Sequence, residues 1–207
     1  SGIKPGTAPQ PTQIAKGPFF FISTRNPVDQ WRSLYFYGCD GKGAVWGRVQ
    51  KHSEVSRLYD GTENGLNAWL DYMLSKGAHR VLGEDHTPAA EELYGFQTHR
   101  FLQLSFRSPA RRSRRFRNRD DVLRAFQKHR LHSYILHNET LNDDLEALVR
   151  GPLGQYLRNP AAAIDELRQS ARVNTSTNST SRSIAVDPDL RERIRQREWF
   201  FFEQLGY

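Results

Sequence analysis

The chain has 207 residues, 37% of them hydrophobic and 12% aromatic, and a formal net charge of +7. This length and aromatic content suit one α/β domain with a sizeable core, and the single cysteine, Cys39, excludes an internal disulfide or a cysteine metal cluster. No apolar run reaches the length of a membrane span, and the basic excess points to anionic partners: phosphates, sulfates, acidic glycans or nucleic acid.

Residues 1–18 are polar and rich in Pro and Gly, so they read as a flexible lead-in without the apolar core of a secretory signal. The folded unit is expected over residues 19–207. Phe19 to Thr24 forms a continuous apolar run that predicts a central strand covered on both faces, as in parallel sheets. Arg25 ends it. Asn26 is a good N-cap, Pro27 suits the first helical position, and Asp29 complements the positive end of the helix dipole. The helix that follows presents Trp31, Leu34 and Tyr35 at helical spacing and stops at GCDGKG. That segment lacks the spacing and the hydroxyl of a phosphate loop and reads as a turn.

Further helices are predicted over Leu66 to Leu74, after Thr87-Pro88, and over Asp120 to His129. Phe101 to Phe106 fits a strand or a helix. Between them, RSPARRSRRFRNR places seven arginines within Arg107 to Arg119. Tyr134 to Leu136 reads as a short strand, followed through Asn138-Glu139-Thr140 by a helix from Leu141 to Val149. A second strand-to-helix unit supports α/β architecture. Another helix starts at Pro160. A Ser/Thr-rich tract then leads to a capped terminal helix from Asp187, whose aromatic end, Trp199 to Phe202, is expected to dock on the body.

In open α/β sheets, ligands bind beyond the carboxyl ends of the strands. Arg25 stands at such an end and directly before a helix, where backbone N–H groups, the helix dipole and a guanidinium fork would favour an anion. Ser33 would add a hydroxyl if the first turns of the helix face the same anion.

Arg25-Asn26-Pro27 followed by Ser33-Leu34-Tyr35 resembles the 3′-phosphate-binding segment of the sulfotransferase superfamily, of the bacterial and carbohydrate type. YILHNETLNDDLEALV is similar to that family's strand-Glu-x-Leu-helix element, and VNTSTNSTSR with the aromatic-Gly-Tyr tail is similar to its closing pattern. The resemblance implies a central parallel sheet flanked by helices in a P-loop-like fold. It also implies 3′-phosphoadenosine 5′-phosphosulfate (PAPS) as donor, a hydroxyl acceptor such as a carbohydrate, and no metal. Arg25 and Ser33 would grip the 3′-phosphate, with Asn174, Ser176 and Arg182 as further donor-site candidates. Arg111, Arg112, Arg114 and Arg115 would recruit an acidic acceptor glycan. The family's PKTG[ST]-like loop for the 5′-phosphosulfate has no counterpart before Arg25, since IKPGT holds similar letters in another order. The catalytic base is unassigned, with His52, His86 and His99 in the stretch where substrate-facing loops would lie, each expected at the surface. Such an enzyme would be cytoplasmic in a bacterium, the Golgi lumen being the other compartment open to it. Two other readings stay open: a sulfotransferase-like fold kept as a binding module, and a nucleic-acid-binding protein that uses the arginine run with Phe116 for stacking.

Overall fold

The computed structural model describes residues 19–169 and 184–207. They are mostly helical, with one small two-stranded parallel sheet. Strand β1, Phe21–Thr24, pairs with β2, Tyr134–His137, in the register Phe21↔Tyr134 to Thr24↔His137. Ser133 N–H donates to Phe20 O at 3.1 Å and carries the pairing one step further back.

Helix α1, Pro27–Cys39, starts where the sequence predicts, with the Asn26 side chain accepting from Val28 N–H at 2.9 Å. It buries Trp31, Tyr35 and Phe36 against α2, Ala44–Val49, α3, Ser53–Ser56, and α4, Glu63–Met73. The short α5, His79–Leu82, closes this first core. Trp31, Tyr35, Tyr59 and Trp69 form its aromatic centre, with ring centroids 5.4–5.6 Å apart.

A second core lies under one face of the sheet. It joins α6, Pro88–Leu93, α7, Phe96–Ser105, α9, Arg119–His129, and the end of the chain. Phe101 to Ser105 is therefore helical, which settles the segment that fits either period. The arginine-rich α8, Pro109–Ser113, buries none of its residues. Ile22 and Ile135 face this core, whereas Leu136 is buried on the opposite face, where α10, Leu141–Arg150, packs on β2. Helix α11, Pro160–Gln169, packs on α10.

Two expectations need correction here. The run at Phe19 does not form a strand covered on both faces, because Phe20 and Phe21 each remain 46% exposed. A continuous apolar run specifies burial only when elements exist to cover both sides, and α10 covers β2 rather than β1. The terminal helix is also broken in two, α12, Pro188–Arg197, and α13, Trp199–Gln204, hinged at Glu198. Trp199, Phe200 and Phe201 are buried, so the aromatic end docks as expected.

The hinge has a physical cause. Glu198 turns its carboxylate into the protein and caps α7, accepting from Gln97 N–H at 3.0 Å and from both the N–H and the hydroxyl of Thr98 at 2.8 Å. Its neighbour Arg197 donates to Glu91 O at 2.6 Å and to Leu74 O at 3.0 Å, while Gly95 N–H donates to Arg197 O at 2.7 Å. Two adjacent residues thus join α4, α6, α7 and the chain end. No described helix is long and apolar enough to cross a membrane.

Candidate functional site

Parallel pairing brings the turns after β1 and β2 side by side, since Thr24 and His137 are partners in register. The backbone N–H of Asn26 donates to Glu139 Oε1 at 2.8 Å. Tyr207 donates its hydroxyl to Glu139 Oε2 at 3.3 Å and shares a 2.9 Å hydrogen bond with Thr24 Oγ1. Burial pushes the Tyr207 phenol upward, so it stays protonated and available as a donor. His137 N–H donates to Asp144 Oδ2 at 2.7 Å, and the His137 ring lies 5.3 Å from that of Tyr207. Residues from β1, β2, the start of α10 and the chain end therefore meet at the carboxyl edge of the sheet.

Arg25 directly follows β1, half-buried, with no hydrogen-bond or ion-pair partner among the described residues. Ser33 is exposed on α1 and lies on the same helical stripe as Asn26, Gln30 and Tyr37. It stands about 10 Å along the axis from the start of the helix, so it reaches an anion only where that anion extends over the first two turns. Arg25 is thus half-buried at the strand end, and Ser33 is exposed nearly two turns into the helix.

The backbone contribution differs from the expectation. Pro27 has no N–H, that of Val28 is satisfied by Asn26, and that of Asn26 is satisfied by Glu139. Two backbone donors at the start of α1 are thus engaged and Pro27 lacks one, so an anion there would rely more on side chains and the helix dipole.

The other candidates fall elsewhere. Asn174, Ser176 and Arg182 lie outside the described residues. Arg111, Arg112, Arg114 and Arg115 lie on α8 and just after it, beside the chain that enters the amino end of β2. Phe106 and Arg130 form an antiparallel bridge there, and Arg112 stacks over Phe106 at 5.9 Å. Arg25 leaves the carboxyl end of β1, so the arginine run and Arg25 belong to opposite ends of the sheet.

His86 and His99 are buried, not surface residues as expected. Their rings are 5.0 Å apart, His99 Nε2 meets Glu84 O at 2.7 Å, and His86 Nε2 meets Tyr94 O at 3.3 Å. Burial, then the neighbouring His99, pushes His86 down to about 4, and burial also lowers His99. Neither faces a substrate. His52 precedes α3 and is partly exposed, with Nδ1 3.8 Å from Glu54. Phe116 is only 9% exposed and packs against Tyr94 and Phe106, so it offers no stacking face to a base. No group of three or more metal-ligating side chains occurs among the described residues.

Glu139, Tyr207, Thr24 and His137 were not among the sequence candidates for the site. The signal that could have found them is the pairing of two strand-to-helix units, because parallel neighbours must bring their carboxyl-end turns together. No protein-family model, curated protein or solved structure matches the chain.

Proposed function

We propose that the protein binds a 3′-phosphorylated adenine nucleotide at the carboxyl edge of its sheet and acts as a PAPS-dependent sulfotransferase on a hydroxyl acceptor, in a P-loop-like α/β fold. The observation that carries this reading is Arg25. A guanidinium at the end of a parallel strand, without a partner among the described residues, followed by an exposed Ser33 on the next helix, has the donor chemistry a terminal phosphate needs.

The fit to the nucleotide is specific in its parts. Arg25 would take two phosphate oxygens and Ser33 a third, while Asn26 holds the turn and Glu139 holds Asn26. The bound donor would supply an activated sulfuryl group, and a carbohydrate hydroxyl would be its acceptor. The chain's part in such an in-line transfer is positioning and cationic stabilisation. Asn174, Ser176 and Arg182 are proposed as further donor contacts. A purely nucleotide-binding role is the second reading, favoured by the engagement of the Asn26 and Val28 backbone donors, which leaves fewer groups for a transferring anion. Calorimetric titration with 3′,5′-bisphosphoadenosine and with 5′-AMP tests the nucleotide claim. Preference for the bisphosphate supports it, and equal weak binding removes it.

A further inference from the structure

We infer that α8 and the carboxyl end of α9 form one basic ridge that docks a linear sulfated glycan chain, at the end of the sheet opposite Arg25. The run in α8 does not act alone. Arg112 lies with its guanidinium 5.9 Å from the centre of the Phe106 ring, and Phe106 bridges to Arg130 at the end of α9. Phe106 is thus the buried pivot on which two basic segments, separate in sequence, come together.

Lys128 and Arg130 are exposed on the α9 side, and Arg111, Arg114 and Arg115 on the α8 side. None of these has a carboxylate partner among the described residues, whereas the arginines further along, Arg119 and Arg124, are paired with Glu203 and Asp121. His129 stands between Lys128 and Arg130. Partial burial holds its imidazole below the usual range, and the charges of Arg112 from the α8 side and of Lys128 add to this. A field of this sign and density, left uncompensated, attracts a polyanion.

The chemistry of the occupant follows from what the ridge lacks. The rings beneath it, Phe106, Phe116 and Phe126, are buried, so it offers planar guanidinium forks and an ammonium but no stacking platform. Single-stranded nucleic acid takes much of its affinity from base stacking, whereas sulfate and carboxylate groups on a sugar chain need only cations. The ridge adjoins the amino end of β2 and Arg25 follows the carboxyl end of β1. A chain held there is therefore anchored away from the proposed nucleotide, and its binding does not depend on that nucleotide reading.

The test is equilibrium binding of the full chain to a fluorescent heparin octasaccharide, its desulfated counterpart and a single-stranded oligonucleotide of equal charge, across a salt series. The sulfated octasaccharide is expected to bind at least tenfold more tightly than either control, with affinity falling steeply as salt rises. The triple variant R111A/R114A/R115A and the separate exposed variant Lys128→Glu are each expected to weaken it several-fold and to flatten the salt dependence. Both should leave titration with 3′,5′-bisphosphoadenosine unchanged. Oligonucleotide binding as tight as the octasaccharide would overturn the inference in favour of nucleic acid. An octasaccharide affinity untouched by Lys128→Glu would overturn the joint ridge.

Discussion

The backbone N–H of Asn26 and the carboxylate of Glu139, 113 positions apart in sequence, are joined by a 2.8 Å hydrogen bond. It ties the turn after β1 to the turn after β2 and fixes where Arg25 leaves the sheet. Glu139 is exposed, so water can replace part of what it supplies. Glu139→Ala is expected to lower stability by about 1 kcal/mol, read by urea unfolding. Glu139→Gln should cost less, because one amide oxygen still accepts from Asn26. The more telling readout is anion affinity, which should weaken several-fold in the alanine variant if the turn positions Arg25.

Glu198 carries a larger share of the stability. It is fully buried, and burial raises its carboxyl while the donors on Gln97 and Thr98 act to lower it. Glu198→Ala would leave two N–H groups and a hydroxyl unpaired in the core, a cost of roughly 3 kcal/mol or more. Both carboxylate oxygens accept hydrogen bonds, so Glu198→Gln must turn an NH2 toward a donor and should fall between the alanine variant and the native chain. Gly95→Ala probes the same contact, since an added Cβ would lie 2.3 Å from Glu198 Oε1. Thermal unfolding of the three variants checks the order.

Acid lability is predicted from two histidines. Burial pushes His86 down to about 4, and burial followed by the charge of Arg130 does the same for His132. Both are neutral in folded and unfolded chains above about pH 6.5. As pH falls below that, the unfolded chain takes up the protons first, so stability declines until pH nears 4. Each group accounts for a loss on the order of 3 kcal/mol over that window.

His132 has no hydrogen-bond partner for either ring nitrogen among the described residues and packs against Phe101 and Phe126. His132→Phe is therefore expected to raise stability at neutral pH by about 1 kcal/mol. It should also flatten the decline between pH 6.5 and 4. Denaturant midpoints measured at three pH values separate the two effects.

Much of the local structure was legible because helix caps are local chemistry. Asn26, Thr87 and Asp187 cap where they were expected to, each accepting from an N–H within the first turn. The strand-to-helix unit at Tyr134 was equally readable from its change of period. The exposure of Phe20 and Phe21 was not, since an apolar run looks the same whether its second face is covered or open. Glu198 was hidden for the opposite reason. A charged residue between a basic helix and an aromatic run reads as surface, and only its partners a hundred positions away show that it is a buried cap.

The candidate site was legible in half. Arg25 and Ser33 follow from a strand end and a helical stripe, both short-range features. The carboxylate and phenol that hold the turn after β1 come from the second strand unit and the chain end, and only parallel pairing places them there. The same pairing separates the arginine run from Arg25, which no linear spacing reveals.

The central claim is that Arg25 and Ser33 recognise a 3′-phosphate. Calorimetry of the native chain, Arg25→Ala and Ser33→Ala with 3′,5′-bisphosphoadenosine and 5′-AMP measures it most directly. A clear preference for the bisphosphate is expected in the native chain. Arg25→Ala should lose roughly 10- to 100-fold and Ser33→Ala a few-fold in bisphosphate affinity, with 5′-AMP binding nearly unchanged. Native binding that ignores the 3′-phosphate, or a bisphosphate affinity indifferent to Arg25→Ala, would contradict it.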